Sequence, residues 1–148
     1  HIENGVEVFY KTFEYVDTLL KKESDFSHNE LENYTVYQYY NGETNLYRKS
    51  LYSASGDLLS YTNIEYFVNN FQRYNHYSGD HSFTGYDVYT FNNAGKQSEF
   101  SQHDASGNII SKIEYLYNAK GQLDNTKEYN EKGEMIKNNK FIKNKKLY

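Results

Sequence analysis

Four glycines in the second half of the chain, Gly95, Gly107, Gly121 and Gly133, recur at alternating short and slightly longer intervals, and this spacing restricts the fold more than any other feature. Each comes after a short polar stretch that itself follows aromatic or apolar residues. Taken in pairs, the intervals make one repeating unit: Tyr89–Lys96 (YTFNNAGK) overlays Tyr115–Gln122 (YLYNAKGQ), and Ala105–Ile110 (ASGNII) overlays Glu131–Ile136 (EKGEMI), with the same offset in both cases. Both turn types occur earlier, in Tyr37–Glu43 (YQYYNGE) and in Ser53–Ser60 (SASGDLLS), the latter close to Asp104–Ser111 (DASGNIIS). An internal repeat fixes architecture more firmly than local propensity does.

Glycine takes a positive φ without a Cβ clash, as at the left-handed position of a type I turn followed by a G1 bulge. Asn41, Asn92, Asp104, Asn118 and Asn130 open these turns, where their side chains can bond the local backbone. Each interval leaves about eight residues for a strand, too few for a parallel crossover. The expectation is an all-β antiparallel meander of Tyr-rich hairpins. Alternation agrees, since Ile113, Tyr115 and Tyr117 share one face while Glu114 and Leu116 share the other. Both faces carry some apolar surface, which favours a strongly twisted or curled sheet.

The first residues fit two descriptions. Val6–Tyr10 alternates like a strand, whereas Phe13, Val16, Leu19 and Leu20 fit one face of a short N-terminal helix. A degraded repeat copy around Phe13–Leu20 favours strand. Between Gly56 and Gly95 the register is blurred: Asn69–Asn70 stands where a glycine turn is due, and Ser78–Gly85 (SGDHSFTG) reads as a longer, irregular loop.

Length and composition suit a single domain over residues 1–148. Of the 37% hydrophobic residues, 18 Tyr and 9 Phe supply about half by number and, being large, most of the side-chain area, so any buried surface is largely aromatic. Tyrosine keeps a hydroxyl that needs a partner when buried, which suits a thin sheet. With no Cys, the chain has no disulfide, thiol chemistry or thiolate metal site, and with no Pro nothing interrupts a central strand. A net charge of −4 argues against nucleic acid as the main partner. No stretch approaches the roughly 20 apolar residues of a spanning helix, so this segment inserts into no membrane. The chain begins at His1 without a secretory signal segment, which fits a processed mature protein or a trimmed chain. Acidic residues crowd the start (Glu3, Glu7, Glu14, Asp17, Glu23) and lysines the end (Lys137, Lys140, Lys143, Lys145, Lys146). Lysines on an exposed last strand discourage edge-to-edge aggregation.

The form aromatic-x-aromatic-Asn/Asp-x-x-Gly-x-Leu/Ile, seen in YTFNNAGKQ, HDASGNII, YLYNAKGQL and YNEKGEMI, resembles the YD or RHS-type repeat, clearly over residues 86–137 and less regularly over 34–68. Large members of that family build a β-strand shell around a toxin or display a surface module; this chain is too short to enclose a cargo. Small size, many Asn, Tyr and Lys, and no Cys make it similar to small exported repeat proteins of Bacteroidetes. The resemblance implies a secreted, periplasmic or outer-surface location and carries over no catalytic residue.

The densest titratable group is His76, Asp80, His81 and Asp87, which contains ligand types for zinc or another divalent ion without the spacing of any strong motif. A metal-dependent hydrolase using His76 and His81 is therefore the alternative reading. Asp104, Ser106 and Asn108 around Gly107 have an oxygen-rich pattern, but with one carboxylate the turn explanation is preferred. No nucleophile elbow or phosphate loop occurs, so no catalytic residue and no cofactor are assigned. Tyr37, Tyr39, Tyr40, Tyr47, Tyr52, Tyr61 and Tyr66 are candidates for an exposed aromatic platform that binds a protein or a glycan, against the plainer reading of cross-strand ladders. The leading expectation is a non-enzymatic binding or structural module outside the cytoplasm, with protein association ahead of glycan binding and oligomers allowed.

Overall fold

The computed structural model describes residues 8–41, 43–68 and 70–141. It is an antiparallel meander of eleven strands in one sheet whose order follows the chain: β1 (Phe9–Val16), β2 (Leu19–Ser27), β3 (Glu30–Tyr39), β4 (Leu46–Ser53), β5 (Leu58–Phe67), β6 (Phe71–Ser78), β7 (Phe83–Phe91), β8 (Gln97–Asp104), β9 (Ile109–Tyr117), β10 (Leu123–Tyr129) and β11 (Met135–Lys140). No helix occurs among the described residues. The N-terminal helix is corrected accordingly: Phe13 and Val16 lie in β1, Leu19 and Leu20 in β2, and Val16 pairs with Leu19 across a turn in which Asp17 has φ 55°. A turn this tight cannot hold the helical face that the four residues suggested. Glu3, Glu7, Gly42, Asn69, Lys143, Lys145 and Lys146, to which turns or charge were assigned above, lie outside the described residues.

The glycine turns are built as their spacing implies. Gly95, Gly107, Gly121 and Gly133 have φ between 69° and 89°. In each turn the opening residue donates its N–H to the carbonyl four residues on and accepts from the glycine N–H, as in Asn92→Lys96 (2.8 Å) and Gly95→Asn92 (2.9 Å). The opening side chain holds the turn as well: Asp104 Oδ1 accepts from the Ser106 and Asn108 amides at 2.9 and 2.8 Å. The supposed irregular loop after Ser78 is one more such turn. Ser78 N–H donates to Ser82 and His81 N–H to Ser78, both at 3.0 Å, with His81 (φ 68°) standing where the other copies have glycine.

The chain divides into two compact units, one made of the residues up to Ile64 with Asn75–Thr84, the other of Glu65–Tyr74 with Gly85 onward. In both, one contact recurs between an odd strand and the even strand after it. Tyr10 stacks on Phe26, Tyr34 on Tyr52 and Tyr61 on Tyr77 in the first unit, at 4.9, 5.1 and 4.7 Å between ring centroids. In the second, Tyr86 stacks on His103 at 4.4 Å, and Lys112 Nζ lies 4.7 Å over the Tyr129 ring. The even-strand members, Phe26, Tyr52, Tyr77, His103 and Tyr129, follow one another at almost constant spacing, the same offset that relates Tyr89 to Tyr115 in the glycine repeat. The repeat therefore extends through the stretch where glycine spacing loses it. A cation also covers three of the odd-strand rings: Lys22 over Tyr34 (4.8 Å), Arg48 over Tyr61 (3.9 Å) and Arg73 over Tyr86 (3.9 Å).

These contacts take the place that an apolar interior has elsewhere. Among the described residues the one buried hydrophobic side chain is Ile64, 2% exposed, while the buried polar ones include Ser24, Ser50, Asn75 and Ser101 in the middle of β2, β4, β6 and β8. A small residue lies under its larger neighbours, as Ser50 does opposite Tyr61. Each stacked pair contributes about 0.5–1.5 kcal/mol beyond area burial, and an exposed cation–π contact about 0.5–1 kcal/mol.

Candidate functional site

Antiparallel register decides which side chains share a face, because residues directly opposite one another project to the same side. In the first unit, the pairs Lys11–Asp25, Glu23–Thr35, Thr35–Leu51, Leu51–Ser60, Tyr37–Lys49 and Lys49–Thr62 therefore mark one polar face. The alternate residues, among them Tyr34, Tyr52 and Tyr61, form the opposite, ring-bearing face. Over the polar face lies a groove of about 380 Å³ that runs across strands β1 to β6, from Lys11 to His76.

One end of the groove is tied together by charge. Lys11 Nζ lies 2.6 Å from Glu23 Oε1 and 3.0 Å from Asp25 Oδ1, and the Tyr37 hydroxyl donates to Glu23 Oε2 at 2.9 Å. The bonds from Lys11 and Tyr37 hold the Glu23 carboxyl below its ordinary range. Burial, then the bond to Glu23, pushes the Tyr37 hydroxyl up to about 12. In the second unit the same three residue types meet from two strands: Lys112 bonds Glu114 on its own strand at 2.8 Å, and the Tyr129 hydroxyl donates to Glu114 at 2.9 Å. At the other end of the groove, Thr62 Oγ1 and His76 Nδ1 are 3.0 Å apart.

A pH dependence follows. Folding lowers the Glu23 pKa, so its contribution to stability is complete above the ordinary glutamate value of about 4.3 and is lost as pH falls through the lowered one. Folding raises the Tyr37 pKa, so that contribution is complete below the ordinary value of about 10 and is lost as pH rises through about 12. Urea unfolding across the pH range is expected to show Glu23→Gln with a shallower fall on the acid side, and Tyr37→Phe with a shallower fall on the alkaline side. Curves parallel to the parent at both ends would remove this account of the cluster.

The six tyrosines of the expected platform that belong to the first unit do not form one surface. By register Tyr52 and Tyr61 lie on the ring-bearing face and Tyr37 on the polar face, although Tyr61 also borders the groove that Tyr37 lines. Tyr39 donates to the Leu20 carbonyl at 3.0 Å, Tyr40 and Tyr47 pack on each other at 5.2 Å, and Tyr66 is 40% exposed in the second unit. The ring contacts that do recur involve Phe26, Tyr34 and Tyr77 in the first unit and Tyr86 and Tyr129 in the second, and the near-constant spacing of the even-strand members along the chain was the available signal.

Of the four candidate metal ligands, His76, Asp80 and His81 belong to the first unit and Asp87 to the second. His76 lines the groove, while His81 packs against the ring of Tyr61, 5.6 Å away. Asp80 accepts from the Ser78 hydroxyl and from the Ser82 amide (3.0 Å), bonds that close its own turn and hold its carboxyl at about 2. Asp87 is in β7 opposite Gln102. Among the described residues no group of three or more His, Asp or Glu side chains could share an ion. Asp104, part of the oxygen-rich pattern noted above, directs its carboxylate to the amides of its own turn and to the Asn108 side chain.

No protein-family model matches the chain, and no curated protein does. Among solved structures it is similar to a protein of unknown function from Bacteroides fragilis NCTC 9343, with 13% sequence identity, a TM-score of 0.52, and coverage of 93% of this chain and 95% of that one. At that identity the likeness shows the fold alone, an all-β architecture that extends over nearly the whole of both chains.

Proposed function

We propose that the chain is a non-enzymatic binding or structural module that acts outside the cytoplasm, with protein association ahead of glycan recognition as its main mode. The observation that carries this is β1. All eight of its residues are exposed, Phe9 by 62%, Phe13 by 51%, Tyr15 by 60% and Val16 by 57%, and it stands at one end of the strand order. A strand so placed offers ladder groups and apolar side chains to another chain.

The occupant we assign is a second copy, paired antiparallel through β1. Lys11 and Glu14 balance each other on β1, so two such edges meet without net repulsion. β11, at the other end, carries Lys137 and Lys140 and no acid, and two of those edges repel. Recurrence of the ring contact at near-constant spacing supports the YD/RHS-like reading and, with it, an exported location. A groove that crosses six strands of one unit supports a strongly twisted sheet.

Sedimentation velocity over a concentration series is expected to show a monomer–dimer equilibrium that Phe13→Lys abolishes without lowering the melting temperature. A parent chain that stays monomeric at the highest concentration, while a protein and glycan screen captures only glycans, would overturn the assignment.

A further inference from the structure

The middle of the groove differs from its ends. The side chains of Thr35, Lys49 and Ser60 make no hydrogen bond or ion pair with the described residues, whereas Lys11, Glu23, Asp25 and Tyr37 on one side, and Thr62 and His76 on the other, are paired. Leu51 is the register partner of both Thr35 and Ser60, so an apolar side chain lies between two hydroxyls that bond no side chain or backbone group among the described residues. Lys49 is exposed and stands between Tyr37 and Thr62 in the ladder. One cation, two hydroxyls and an apolar floor therefore converge on the same small area of sheet.

We propose that this groove binds a monoanionic saccharide of the uronate class, with its carboxylate on Lys49, its hydroxyls on Thr35 and Ser60, and its C–H face on Leu51. Each part of the ligand answers a part of the site. An ammonium presents three donors and no acceptor, which suits a carboxylate, and a hydroxyl both donates and accepts, which suits a sugar hydroxyl. Binding sites pair apolar contact with a few placed polar groups in this way. Thr35 and Ser60 are two strands apart, about 10 Å, the scale of a disaccharide.

Charge decides between one anionic group and many. At the Lys11 end two carboxylates face one lysine, an excess of one negative charge that repels a polyanion lying along the groove. Neutral sugars leave Lys49 without a counter-charge and forgo the strongest contact. This site is independent of association through β1: Lys49 lies in β4, and neither proposal requires the other.

The test is an amide NMR titration of the whole chain with galacturonosyl-rhamnose, a disaccharide with one carboxylate, with a neutral galactose disaccharide, and with a heparin hexasaccharide. Saturable shifts centred on Thr35, Lys49 and Ser60 are expected with the galacturonosyl disaccharide, weaker by about tenfold or more for the neutral sugar. Lys49→Met should keep a dispersed spectrum and lose binding of the galacturonosyl disaccharide by a similar factor, and Thr35→Val with Ser60→Ala should weaken it again. No saturable shift, equal binding of the neutral sugar, tighter binding of the heparin fragment at these residues, or an unaltered Lys49→Met would each overturn the proposal.

Discussion

Gly85→Ala is expected to destabilise the chain by about 3 kcal/mol or more, and Gly95→Ala by only about 1–2 kcal/mol, although both glycines have positive φ. At Gly95 (φ 71°) an added Cβ meets nothing within 4 Å, so the cost is backbone strain alone. Asparagine, which tolerates the left-handed region, should recover most of it. At Gly85 (φ 140°) the Cβ would stand 2.4 Å from the His103 carbonyl oxygen, a backbone atom of the adjoining strand that cannot rotate away. Here the strain adds to a clash within the ladder, and asparagine brings no relief. Urea unfolding of the Ala and Asn variants at both positions measures the four costs. Equal costs at the two glycines, or rescue of Gly85 by asparagine, would show that close packing of β7 on β8 is not what requires glycine there.

That contrast marks how far the sequence could be read. Glycine spacing announces the turns at Gly95, Gly107, Gly121 and Gly133, because a left-handed position in a tight hairpin strongly favours one residue type. It falls silent at Ser78–Ser82, where His81 adopts the same conformation at φ 68° and hides the turn behind a side chain. Gly85 does not announce itself either: its requirement comes from the strand beside it, and no local pattern records a neighbour in space. The helical alternative over Phe13–Leu20, weighed against the favoured strand, has a similar origin, since a short apolar run interrupted by a tight turn mimics helical spacing until the pairing of Val16 with Leu19 is known.

Candidate sites were less legible than turns for a related reason. A list of tyrosines says nothing about face, and a single step of register sends a ring to the opposite side. Tyr37 and Tyr52 are both strand tyrosines, yet one bonds Glu23 in the groove and the other stacks on Tyr34 on the far side. Thr35, Lys49, Leu51 and Ser60 carry no motif, and only the ladder brings them together across β3, β4 and β5.

Tyr61→Ala is expected to cost about 3 kcal/mol, a large effect for a ring in a sheet with so few buried side chains. The ring lies between the Arg48 guanidinium at 3.9 Å and the Tyr77 ring at 4.7 Å, with the two rings 8° from parallel. Removing it forfeits a stacked pair, a cation–π contact and the area that both cover, which add up to about that figure. Tyr61→Phe should stay within about 0.5 kcal/mol, because the Tyr61 hydroxyl makes no hydrogen bond with the described residues and both ring contacts survive. Tyr15→Ala supplies the comparison: its ring is 60% exposed and packs on no other ring among the described residues, so its removal should also cost about 0.5 kcal/mol or less. A double-mutant cycle between Arg48→Met and Tyr61→Leu is expected to return a coupling of about 0.5–1 kcal/mol. If Tyr61→Ala proved no worse than Tyr15→Ala, the recurring ring contacts would not hold the strands together, and stability would have to come from the backbone ladder alone.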